Sequence, residues 1–131
     1  MINTYEDYLK DPAGHILTVE DALRIYSDMA DCIAKCSFED KMEFWDDFLK
    51  KAAEYTMIRN EWEHMSREEK IDADSGRTSK HNSFITSVNI LSRIAEQDGL
   101  DSSWRKDLGE ERKRIGDFAC FVTYITGISN R

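Results

Sequence analysis

The sequence predicts an all-α fold: an antiparallel bundle of four to five helices with one long amphipathic helix at about residues 38–65. Three observations lead there. Helix-start signatures recur, since Thr18 with Asp21, Ser37 with Asp40 and Ser66 with Glu69 each place a hydroxyl three residues before an acid. That spacing lets the two side chains satisfy N–H groups that the first turn leaves open. Apolar residues recur with a helical period rather than alternating. The 131 residues include only one proline and six glycines, so little interrupts long elements.

Taken in order, a short helical turn is expected near Tyr5 to Leu9, ended by Asp11 and Pro12, and a helix from Val19 to about Lys35. The next should run from Phe38 to about Met65. On its wheel Phe44, Trp45, Phe48, Leu49, Ala52, Tyr55 and Trp62 share one face. Glu39, Asp40, Glu43, Asp46, Asp47, Glu54 and Glu61 take the other. At 1.5 Å per residue such a helix is about 42 Å long, against a radius of gyration of about 14 Å for a compact domain of this size. After Ser66 a further helix should loosen near Ser75 and Gly76, resume at Ser79 and end near Gln97, where Gly99 supplies a stop. A last helix is expected from Ser103 to Thr126. Its segment from Phe118 to Thr126 is apolar or β-branched on every side, which calls for a central position or a partner chain.

The length fits a single helical domain over residues 1–131, large enough to bury about two-thirds of its unfolded surface. No disulfide or metal is needed to hold such a core. The net charge is −8. All of the excess lies before residue 65, because the acids and bases of the second half balance. Acidic charge opposes phosphate backbones, so direct nucleic-acid binding is not expected. A basic protein partner remains open. Cys32, Cys36 and Cys120 have no zinc-like spacing and read as reduced thiols, which suits a cytoplasmic location. The polar N-terminal stretch does not read as a signal peptide, and no apolar run reaches the ~20 residues of a membrane span.

Motifs for chemistry are sparse. Glu61 and His64 have the Glu-x-x-His spacing of di-iron bundles, but a second such motif and two more carboxylates are missing and Glu61 lies on the acidic face. A solvated surface is the better reading, and no metal or other cofactor is expected. His15 reads as a loop histidine. Gly109 and Gly116, seven apart in the last helix, read as a close helix contact or else a hinge. Trp45, Trp62 and Trp104 read as core anchors, since a base-stacking platform needs basic flanks.

One polar cluster stands out. Arg59 and Glu63, four apart, interrupt the apolar stripe of the long helix. Arg77 and His81, also four apart, lie on the face of the next helix that should return to the same end. Together they form either an ion-pair network or a site whose two arginines outweigh one glutamate and suit an anion. Phe118, Phe121, Val122, Tyr124, Ile125 and Ile128 circle the last helix and form a candidate self-association surface.

No nucleophile–base pair or phosphate loop is present. The sequence therefore points first to a non-enzymatic helical protein acting through protein–protein contact, with a homodimer as one form. The alternatives are an acidic decoy covering a basic, nucleic-acid-binding surface of a partner, and an anionic-ligand site or metal-dependent enzyme at the polar bundle end.

Overall fold

The computed structural model describes residues 16–127, and 82% of these are helical, with no strand among them. The elements are α1 (Val19–Lys35), α2 (Lys41–Glu63), α3 (Arg67–Gln97), α4 (Ser103–Leu108) and α5 (Arg112–Thr126). The turn expected near Tyr5 to Leu9 lies outside the described residues, as do His15 and Ile128. None of the described helices is long and apolar enough to cross a membrane.

Two of the three start signatures form caps. Thr18 Oγ1 accepts from the Asp21 amide at 3.1 Å. At Ser66 both halves of the capping box close, with Glu69 N–H donating to Ser66 Oγ and Ser66 N–H to Glu69 Oε1. The third does not form. Ser37 instead donates its amide (2.5 Å) and its hydroxyl (3.1 Å) to Asp98, the residue that ends α3. This ties the start of the α1–α2 connection to the far end of α3. The long helix consequently begins at Lys41, not Phe38.

Two expected boundaries also shift. No break occurs at Ser75–Gly76. Gly76 has no positive φ, and α3 runs unbroken for 31 residues, about 46 Å at 1.5 Å per residue. Conversely, the last helix is two helices. Gly109 takes φ 79°, a backbone region that L side chains rarely adopt, and ends α4. Arginines on both sides close the gap. Arg105 donates to Gly109 O and Glu110, while Arg114 donates to the carbonyls of Leu108 and Asp107. Gly99 does stop α3 as expected: Gly99 N–H returns to Glu96 O and Leu100 N–H to Ala95 O, the pairing of a Schellman end.

The helices surround one apolar core in which Phe48, Tyr55, Phe84, Trp104, Phe118 and Phe121 are the bulkiest fully buried side chains. Phe48 is fully buried, with its ring against Trp45, Phe84 and Phe118. Trp45, Leu49 and Phe44 pack half-buried beside it, and Glu39, Glu43 and Asp46 face water as the pattern implies, whereas Glu54, expected on the outer face, is half-buried and pairs with Lys80 of α3. Cys32, Cys36 and Cys120 are all buried, and no disulfide joins them.

α5 is the central helix. It packs on α1, α2, α3 and α4, and every residue from Ile115 to Thr123 is buried. An apolar-all-round sequence thus finds its neighbours within one chain. This corrects the candidate self-association surface: Phe118, Phe121 and Val122 are core residues, Tyr124 is half-buried, and among the described members only Ile125 is exposed.

Candidate anion site at the polar end of the bundle

α2 and α3 run antiparallel, since Phe48 meets Phe84, Glu54 pairs with Lys80 at 3.0 Å, and Ile58 lies against Gly76. The C-terminal end of α2 therefore lies beside the first half of α3, and the N-terminus of α5 closes the same end. A cavity of about 280 Å³ opens there, lined by Tyr55, Arg59, Trp62, Glu63, Arg77, Arg112 and Lys113. Three of the four residues expected to converge, Arg59, Glu63 and Arg77, share this lining. His81 does not; it packs edge-on against Tyr55, 5.4 Å between ring centroids.

The two arginines have different surroundings. Arg59 does not pair with Glu63, four residues on in its own helix. Its Nη2 donates at 3.2 Å to Oδ1 of Asp117, a fully buried carboxylate on α5. The other oxygen of Asp117 accepts the backbone amides of Ile16 (2.9 Å) and Leu17 (3.3 Å), which moors the chain entering α1. Arg59 passes so close to α5 that only glycine leaves room. A Cβ on Gly116 would lie 2.8 Å from Arg59 Cζ and Nε. Close contact is thus the role of Gly116, though the neighbour is a side chain rather than a helix backbone. Burial works against the Arg59 charge, but the electrostatic pull of Cys120, Asp117 and Tyr55 outweighs it and raises the guanidinium pKa.

Arg77 has no such partner. It donates to no carboxylate among the described residues. Its Nε is buried without a hydrogen-bond acceptor, and its guanidinium lies 4.4 Å from the Trp62 ring centroid. Desolvation lowers its pKa, against the opposing pull of Tyr55 and Asp74, and the nearby Arg112 and Arg59 charges push it down further. Arg112 in turn donates to Thr78 Oγ1 at 3.2 Å. His81 is depressed by desolvation and by Arg112 and Arg77, and its Nε2 is likewise buried and unpartnered. Glu63, the one carboxylate of the lining, is exposed. The first turn of α5 adds to the imbalance, since it holds Arg112, Lys113 and Arg114, no acid, and no side-chain cap from Glu111. Cations at a helix N-terminus meet the positive end of its dipole, where an anion is favoured.

Sequence reasoning missed Asp117, Arg112 and Lys113. Asp117 had a legible signal, being a lone acid inside an apolar helix that must find a cation. Arg112 and Lys113 had none, because the break at Gly109 that turns them into a helix start was read as continuous helix. No protein-family model, no curated protein and no solved structure matches the chain.

Proposed function

We propose that this chain is a non-enzymatic binding protein that takes a small anionic ligand at the polar end of its bundle. One observation carries the reading: Arg77, partly desolvated and in no ion pair among the described residues, lines the same cavity as Arg59 and Arg112. Like charges disfavour one another, so an arrangement that crowds guanidinium groups favours whatever anion neutralises them. The chain as a whole carries a charge of −8, so this concentration of positive charge runs against its composition.

The test is thermal unfolding at fixed ionic strength while chloride is replaced by sulfate or phosphate. A bound anion stabilises the folded state by about 2.7 kcal/mol at one hundred times its dissociation constant. The increase should vanish in Arg77→Met. Equal melting temperatures in all three salts would refute the reading.

A second reading rests on the start of α2 and the turn before it, where Glu39, Glu43 and Asp46 are all exposed. It would cover a basic surface on a partner protein. Binding of a lysine-rich peptide that weakens steeply with salt, and is lost when these three acids become Gln or Asn, would support it.

A further inference from the structure

We infer that α1 and α2 together present a docking face for a basic amphipathic helix of a partner protein. This rests on the second reading above, the acidic surface, and adds the kind of partner that surface takes.

Helical period builds the face. Leu23 lies one turn before Tyr26 on α1, and Met42 and Leu49 lie one turn to either side of Trp45 on α2. α1 rests on α3, α4 and α5 rather than on α2. The Tyr26 and Trp45 rings nevertheless meet, 5.8 Å between centroids, and join the two rows into one apolar strip. The core side of these helices is carried by Ile25, Met29 and Phe48, all fully buried. On the strip, Tyr26, Trp45 and Leu49 are half-buried, while Leu23 is 45% exposed and Met42 56%.

The charge around the strip is one-sided. Glu20 on α1 and Glu39, Asp40, Glu43 and Asp46 at the start of α2 are exposed, and they form no ion pair among the described residues. Of the bases nearby, Arg24 pairs with Asp107 and Asp21, and Lys51 pairs with Asp47. Lys41 is half-buried, with its ammonium on the carbonyls of Ala34 and Cys36, and Lys50 is exposed. The acids therefore outweigh the two lysines left. A helix dipole favours acids in its first turn, but it offers nothing to an exposed leucine or methionine set among them.

This combination selects among occupants. A second copy would bring the same acids against these, and like charges across an interface are unfavourable. An anionic lipid surface is repelled for the same reason. A helix whose apolar face is flanked by Lys and Arg satisfies both the strip and its rim. Helices that dock in this way are read through positions i, i+3 and i+7, the spacing that Met42, Trp45 and Leu49 present in return. Tyrosine and tryptophan serve well as anchors, and methionine adapts its shape to what it meets.

Calorimetric titration of the intact chain with two synthetic peptides tests this. The first contains leucine and lysine, is about 18 residues or five helical turns long, and carries leucine along one face. The second has the same composition, scrambled so that leucine forms no face. The first should bind at least about tenfold more tightly than the second. Met42→Ser combined with Leu23→Ser, both at exposed positions, should weaken the first peptide about tenfold and leave the second unchanged. Met42→Gln, which keeps helix propensity, should act in the same direction by less. Glu43→Gln combined with Asp46→Asn should weaken both peptides, most at low salt. Equal binding of the two peptides, or binding indifferent to the changes at Met42 and Leu23, would overturn the apolar face and leave the acidic-surface reading standing. A leucine–glutamate peptide binding as tightly as the leucine–lysine one would overturn the basic character of the partner. Self-association of the chain that the Met42 and Leu23 changes abolish would give the strip to a second copy and overturn the partner helix. No binding by either lysine peptide would overturn both the inference and the acidic-surface reading.

Discussion

Arg59 and Arg77 line one cavity, yet the protein treats them in opposite ways. Arg59 is tied to a fully buried carboxylate, passes over a glycine that makes room for it, and through Asp117 holds the amides that lead into α1. The bonds of Asp117 to Arg59, Ile16 and Leu17 join α2, α5 and the chain entering α1, so this side serves the fold. Arg77 is only half-buried and rests on the Trp62 ring with an unsatisfied buried Nε and like charges beside it. Two arginines of the same composition and location thus separate into a structural group and one that the fold alone does not explain. A satisfied buried ion pair says little about function, whereas an unsatisfied one beside a cavity points to a ligand.

The same substitution at both positions is the strongest way to break that comparison. Arg59→Met removes the guanidinium from a carboxylate that is 0% exposed, and should cost about 3–5 kcal/mol in denaturant titration. Arg77→Met removes a desolvated cation and one cation–π contact, which oppose each other, so stability should stay within about 1 kcal/mol. Similar losses for both would show that Arg77 is as structural as Arg59.

Gly116→Ala probes the close approach from the other side. The new Cβ meets the guanidinium of Arg59, which is held by Asp117 and cannot swing away without breaking the pair. The loss should be roughly 2–4 kcal/mol, the cost of a broken buried pair less the ~1 kcal/mol that alanine gains over glycine in a helix. The double variant with Arg59→Met should be far less than additive, because the clash disappears with the arginine. Full additivity would mean that Gly116 is needed for some other reason.

Much of the bundle was legible in the sequence, and particular residues show where legibility stopped. Thr18 and Ser66 were readable because a cap is local: its donor and acceptor lie within four residues. Ser37 has the same local pattern but is taken by Asp98, 61 residues away, and nothing in a window around Ser37 reveals that. Gly109 and Gly76 were each read the wrong way round, for one reason. A glycine permits a break without requiring it, and the arginine side chains that satisfy the exposed carbonyls at Gly109 act through tertiary contact. The convergence of Arg59, Glu63 and Arg77 followed from antiparallel packing and helical period. The true partner of Arg59 did not, because the local Glu63 competed with a distant Asp117 and burial decided between them. The apolar circuit of α5 signalled a helix with neighbours all round, but not whose they were.

The smallest predicted effect separates the two glycines that stand beside these two arginines. Gly76 precedes Arg77 in a continuous stretch of α3, without a positive φ, and a Cβ there would find Ile58 Cδ1 at 3.9 Å, an ordinary contact. Nothing at this position uses the freedom of glycine, which costs a helix roughly 0.5–1 kcal/mol relative to alanine. Gly76→Ala should therefore raise stability by about that amount, read as a higher denaturant midpoint with an unchanged slope. It should also leave anion binding intact, since the added methyl group meets Ile58 and not Arg77. The opposite signs expected at Gly76 and Gly116 come from one cause, the mooring of the arginine nearby. Arg59 is pinned against Gly116 by Asp117, while no side chain presses on Gly76. A loss of stability in Gly76→Ala would mean that α3 does need a flexible point at Ser75–Gly76. The reach of Arg77 into the cavity would then depend on it.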